Sequence, residues 1–354
     1  MRSIFFSTLA LTTAAGLLVA PASASAQGER VALSGSRIAI YNLAGSIKAV
    51  AGSGSDVVVT VAKSGKDASQ LRVEHGPIGD QQTLRVIFPG RRITFGDDKH
   101  WGSGHTTVRV AEDGTFDGHD DDGSRVEIGS RSGGLEARAD LTVAVPAGKE
   151  LHLHLAAGDV NVTNVNGDIT VDVGAADVTT SGTKGSLTLD TGSGETSVTD
   201  AEGDLNVDSG SGSVTLSGIR GDRLSVDAGS GRMRADNINT RRIEMDLGSG
   251  GATLKNVTAT DLKLDCGSGS TEIDLVSDIR LLDIDSGSGG VTIWIPASLG
   301  AKVDIDAGSG GIDLGIPVSV TRWESDRVIG TIGDGNGSIR IDAGSGGVRL
   351  KKRI

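Results

Sequence analysis

Cysteine is almost missing from this 354-residue chain. Cys266 stands alone, so no intramolecular disulfide can form, and stability must come from burial and backbone hydrogen bonding. Aromatic residues make up only 3%, too few for a bulky core. With one Tyr and three Trp, there is also little from which to build an aromatic platform for sugars. Beyond the first 26 residues, no segment approaches the ~18 apolar residues that a membrane-spanning helix requires. Basic residues are outnumbered, 34 Lys and Arg against 46 Asp and Glu, for a net charge of −12. That balance argues against nucleic acid or anionic lipid as a partner and permits cation binding. Neither G-x-S-x-G nor H-E-x-x-H occurs, which removes the commonest hydrolase signatures.

What is present begins with an export signal. Arg2 opens it, an apolar stretch follows over residues 4–19, and Ala24-Ser25-Ala26 forms an A-x-A cleavage site. The mature chain is therefore expected to start at Gln27, in the periplasm or outside the cell, with no transmembrane span. No Cys lies at the cleavage point to carry a lipid.

Glycine is abundant, at 54 residues, and much of it sits in one phrase, Asp-x-Gly-Ser-Gly. Its aspartates are Asp190, Asp208, Asp227, Asp246, Asp265, Asp285, Asp306 and Asp342, at steps of 18, 19, 19, 19, 20, 21 and 36 residues. A period near 20 residues means stacked supersecondary units. Within one unit, Leu205-Asn206-Val207 and Ser213-Val214-Thr215-Leu216 alternate in polarity on either side of the turn, as strands do. Ile219, Ile238 and Val257 recur as apolar plugs in a second turn. The sequence thus predicts an all-β, parallel β-solenoid of 18–21 residues per coil, two strands to a coil, stacked ~4.8 Å apart. Alternation turns the residue after each repeat Asp inward at a tight corner, so Cys266 reads as a small buried residue and not a nucleophile.

The same alternation turns the repeat aspartates outward in a ladder. Like charges at sheet spacing repel by roughly 1 kcal/mol per pair in water, and something must offset this. Asx turns are the first expectation, each carboxylate accepting an N–H from the glycine turn ahead of it. Calcium is the second, with the eight aspartates as weak candidate ligands, although the spacing departs from the G-G-x-G-x-D-x-U-x nonapeptide of calcium-binding β-rolls. No other cofactor is implied.

Residues 27–89 are β-patterned, with a degenerate form of the same turn at Gly45-Ser46-Ile47. Residues 90–138 break the composition and read as a polar, partly disordered insertion. There, Asp97, Asp98, His100, His105, Asp117, His119, Asp120, Asp121 and Asp122 could chelate a metal, but their order is not that of an EF-hand. Residues 139–354 then form the repeat column. In Leu151-His152-Leu153-His154-Leu155 both histidines face outward, as a metal-binding pair would, without an evident third ligand. Stepping back by 18 residues from Asp190 extends the ladder to Asp172 and His154. The 36-residue step is expected to hold a pair of coils with an altered turn. Lys351-Lys352-Arg353 is expected to charge the final strand against end-to-end pairing.

Val145-Pro146-Ala147-Gly148, the strand 151–155 and Ala157-Gly158-Asp159-Val160 resemble a bacterial family of adhesin-type domains of unknown function. The resemblance covers about residue 35 to the C-terminus without the insertion. It implies an exported or membrane-tethered β-solenoid and transfers no catalytic residue; the residues themselves are read as a non-enzymatic scaffold whose partner is a protein or glycan of the cell surface or envelope. A β-helix enzyme acting on polysaccharide is the remaining alternative. It would need clustered acids and bases in a groove, whereas the outward row Thr215, Arg234, Thr253, Glu272, Thr292, Asp313 offers no such cluster.

Overall fold

A computed structural model describes residues 28–95, 105–116, 123–130 and 133–353. The expected export segment and most of the acidic run in the insertion, including Asp97, Asp98, His100, Asp117, His119, Asp120, Asp121 and Asp122, lie outside these residues. Among them no helix is long and apolar enough to cross a membrane.

The chain is a parallel β-solenoid. Each coil has a first arm that ends at the repeat Asp and a second arm that follows the glycine turn. The first arms stack in register, placing Ile38, Leu151, Ile169, Leu187, Leu205, Leu224, Ile243, Leu262, Leu282, Ile339 and Val303 in one file. Each is at most 2% exposed. Second-arm residues such as Val214, Met233, Ala252, Thr271 and Val291 form the facing file and are equally buried. One coil alone leaves these side chains wet, and the stack turns them into a continuous apolar interior. The corner residues Thr191, Ser209, Ala228, Leu247, Cys266, Ser286, Ala307 and Ala343 are all buried.

The glycine turn is required by close approach. A Cβ at Gly212, Gly231 or Gly250 would lie 1.6–1.7 Å from the carbonyl oxygen of the turn glycine one coil earlier. Only a residue without a side chain lets these corners stack at sheet spacing.

Two features of the column depart from chain order. Its first coil is the strand Arg37–Ala51, which pairs in parallel with Lys149–Thr163 on one edge and with Gln81–Ile87 and Arg138–Val145 on the other. The column therefore runs across the expected boundary at residue 139. Antiparallel strands Glu29–Leu33, Val57–Ser64 and Arg72–Ile78 close that end.

At the far end, the last coil in sequence is not the last in space. Gly337–Ala343 lies between Leu281–Ser286 and Ala301–Asp306, and Val348–Lys352 lies between Val291–Ile295 and Ile312–Gly315. The 36-residue step is thus not a pair of consecutive coils. The chain builds the terminal coil first, caps it with the antiparallel strands Ser319–Trp323 and Arg327–Ile332, and returns one level to insert the final coil. Lys351 and Lys352 consequently sit on an internal strand and do not guard the end. In the outward row, Arg349 separates Thr292 from Asp313.

The described part of the insertion is a small sheet of Arg92–Thr94, Ser124–Gly129 and His105–Val110. It rests on the strands Lys149–Thr163 and Gly167–Ser181.

Candidate functional site

The aspartates form an unbroken line: Asp172, Asp190, Asp208, Asp227, Asp246, Asp265, Asp285, Asp342 and Asp306, each the register partner of the next. Parity makes the line. Their apolar neighbours on both sides point inward, so the carboxylates point out.

Positive or neutral groups terminate both ends. At the first end, Tyr41 and His154 continue the same row. The His154 ring stacks on Tyr41 at 4.4 Å with an interplanar angle of 4°. Its Nδ1 lies 3.2 Å from Asp172 Oδ2. Phe116, from the insertion, meets both rings edge-on. At the other end, Arg327 is the register partner of Asp306 and grips Asp304 with two hydrogen bonds of 3.0 and 2.8 Å.

The expected Asx turns are largely absent. Asp306, in the terminal coil, accepts the Gly308 N–H at 3.2 Å. In the coils of Asp208, Asp227, Asp246, Asp265, Asp285 and Asp342, the equivalent glycine N–H is spent on the coil below. Gly210 donates to Thr191, Gly229 to Ser209, Gly248 to Ala228, Gly267 to Leu247, Gly287 to Cys266 and Gly344 to Ser286. Stacking takes the donor that an Asx turn would use, so mutual repulsion in the ladder is not relieved locally.

The protonation equilibria reflect this. Loss of hydration, then the charges of Asp208 and Asp246, raise the Asp227 carboxyl above its ordinary range. Loss of hydration, then Asp285 and Asp246, do the same at Asp265. Asp246 is common to both. A second outward row, two residues upstream, holds Ser225, Glu244, Lys263, Asp283 and Arg340. Together the rows line an open groove of about 460 Å³ that crosses five coils.

A raised folded-state value means that stability is greatest with the proton on, and is lost as pH rises through that value. Glu150, lowered by hydrogen bonds from His152 and then Arg37, acts in the opposite sense and loses its contribution as pH falls through its own depressed value. Ladder-derived stability should therefore grow on mild acidification. Asp246→Asn is expected to stabilise the protein by roughly 1 kcal/mol at pH 7 and low salt, a modest figure because the groups are exposed and screened. The gain should shrink at about pH 4, as Asp227 and Asp265, whose values are raised, take up protons. Urea denaturation of both proteins at the two pH values checks this. A destabilised variant at pH 7 would mean that Asp246 is held by a favourable partner.

Other expected residues do not converge. Among the described residues, no three His, Cys, Asp or Glu side chains lie close enough to hold one metal ion. His152 and His154 face different acids, Glu150 and Asp172. His105 is exposed on the edge of the insertion sheet. Cys266 is buried, with Sγ 3.2 Å from the Gly269 carbonyl oxygen.

The sequence reading overlooked a second ladder. Asn164, Gly182, Asp200, Gly218, Asn237 and Asn256 all adopt left-handed backbone, with φ of 52–68°. Their 18- and 19-residue steps were available as a signal. Asn, Asp and Gly are the residues that tolerate this conformation, and here they turn the chain from the second arm toward the next plug.

The Toastrack DUF4097 family profile matches residues 36–351. The chain belongs to this family. The match spans both the N-terminal coil and the inserted final coil, so the Toastrack unit is the whole column. No curated protein matches the chain. Among solved structures, one from Clostridium sporogenes, described as a "putative cell adhesion protein", aligns at 11% identity over 92% of this chain and 99% of that one, with a TM-score of 0.20.

Proposed function

We propose that this Toastrack protein is exported and acts as a non-enzymatic scaffold of the cell envelope, binding an extended partner along its acidic face. One observation carries the reading: the carboxylate line and the mixed row beside it form a continuous groove across five coils. A groove that repeats every coil suits a partner lying along the column better than a small substrate at one point. Its charge suits a partner with basic groups, a polypeptide segment or an amine-bearing glycan. The expected export signal favours a partner outside the cytoplasm.

Cell fractionation combined with surface proteolysis tests location. The expected result is a protein absent from the cytosol and cut chiefly within residues 90–138. Charge reversal at the groove centre, Asp246→Lys with Asp265→Lys, tests the face. It is expected to release the protein from washed envelopes without unfolding it. A cytosolic protein, or undiminished retention of a folded double variant, would overturn the proposal.

A further inference from the structure

We propose that the final coil, residues 337–353, is a removable insert, and that the column has a second state in which this coil has withdrawn and its two neighbours have closed on each other. Gly337–Ala343 is flanked by Leu281–Ser286 and Ala301–Asp306, and Val348–Lys352 by Val291–Ile295 and Ile312–Gly315. Removing an internal strand ordinarily costs two interfaces. Here one is regained, because both flanking coils carry the same Asp-x-Gly-Ser-Gly phrase and can pair with each other. The final coil is internal in space but terminal in energy.

Three features of the slot fit two states. Connection length is the first. Residues 276–280 climb one level to the next coil, whereas residues 296–300, an equal number, climb two to pass the final coil. Closure returns that link to the ordinary climb. The glycine corner is the second. On the side of Leu281–Ser286 it is stitched, Gly344 donating to Ser286 and Ser345 to Gly287. On the other side Gly308 donates to Asp306, and Gly310 to Ala307, both within the terminal coil. The hinge is the third. Gly333 and Gly335, with φ of 53° and 72°, lead from Arg327–Ile332 into the final coil, and glycine changes conformation at little steric cost.

A clasp holds the coil in place. Arg353 Nε lies 2.8 Å from Asp274 Oδ1, and its Nη2 donates to Asn256 Oδ1 at 2.8 Å. Both acceptors belong to coils beyond the nearest neighbour. The Lys351 ammonium stands 5.7 Å from the centre of the Trp294 ring. Arg340, between Asp283 and Asp304, also favours insertion.

Withdrawal rebuilds the acidic groove, to which the final coil contributes Arg340 and Asp342. In the closed state Asp304 takes the place of Arg340 beside Asp283, and Asp306 that of Asp342 beside Asp285. A basic partner, held more strongly by the closed face, would draw the column toward that state. This consequence rests on the binding role proposed above, whereas the change of coil order does not.

Cysteine pairs in the whole chain test the proposal. Thr292, Arg349 and Asp313 form one outward file. With the coil inserted, Thr292 and Asp313 lie two levels, ~9.6 Å, apart, beyond the ~7 Å reach of a disulfide. With the coil withdrawn they are neighbours. Thr292→Cys with Asp313→Cys, incubated with a small-molecule disulfide, is expected to close within one molecule as the reagent is reduced to two thiols. Thr292→Cys with Arg349→Cys should close without withdrawal, which verifies the fold. Thr253→Cys with Thr292→Cys is the control. These positions are also two levels apart, separated by Glu272, and should stay reduced because the intervening coil is tied in at both ends. Cys266 is fully buried and should take no part. Adding Arg353→Ala should speed closure of the Thr292–Asp313 pair about tenfold, the effect of losing one charge-assisted contact. Hydrogen exchange should show residues 337–353 opening as a unit before residues 261–275. A Thr292–Asp313 pair that stays reduced while Thr292–Arg349 closes would overturn the proposal. So would equal closure of the Thr253–Thr292 control, an Arg353→Ala change without effect, or simultaneous exchange of the two coils.

Discussion

Gly250→Ala is expected to cost at least about 3 kcal/mol and to unravel the coils on either side of it. The new Cβ would stand 1.6 Å from the Gly231 carbonyl oxygen and 2.7 Å from its carbon. That oxygen belongs to backbone, so no side-chain rotation can make room. The corner must open, and opening it breaks register with Gly231 below and Gly269 above, whose own clearances are 1.7 and 2.2 Å. Few single substitutions exceed this cost, and those that do remove a packing arrangement with no alternative. Gly290→Ala is the matched control. It follows the same turn two coils further on, but its nearest neighbour would be 3.5 Å away, and the change should stay within about 0.5 kcal/mol. Chemical denaturation gives both values, and hydrogen exchange should localise the damage to the strands flanking residue 250. Equal effects at the two sites would show that the stacked corner is not what demands glycine.

Leu262→Ala should cost about 2–5 kcal/mol, the range for a fully buried leucine whose cavity cannot collapse. Leu262 is 0% exposed and sits in file between Ile243 and Leu282. Both neighbours are fixed by strands hydrogen-bonded above and below, so the surroundings cannot close over the gap. In a stack, each coil touches only its neighbours, and a weak coil divides the column into two blocks. The variant should therefore also lose two-state behaviour, with early exchange around residues 243–282 and later unfolding elsewhere. A cost below about 1 kcal/mol, or a single sharp transition, would contradict a shared interior.

The architecture was readable because one coil contains nearly all the information needed for the next. Period-2 alternation in Leu262-Lys263-Leu264 or Thr271-Glu272-Ile273 assigns inside and outside directly, and the buried positions follow it. Cys266 was legible as a corner residue from its seven equivalents. The hydrogen-bonding state of the ladder was not. Whether Gly248 N–H serves Asp246 or the Ala228 carbonyl depends on the level below, and the local sequence suits both. The environment of His154 was also hidden. Its alternation says outward, yet it is 9% exposed, because Phe116, 38 positions earlier, closes over it.

The sequence by itself determined the coil: its length, its two faces, its glycine corners and the line of aspartates. Only the tertiary structure decided the order of the coils. Every coil presents nearly the same hydrogen-bonding edge, so Gly337–Ala343 could stack on Leu281–Ser286 as readily as Ala301–Asp306 could. Local preference is degenerate among such pairings. The choice falls to a non-local term, namely which coil carries the capping strands that cover the open end.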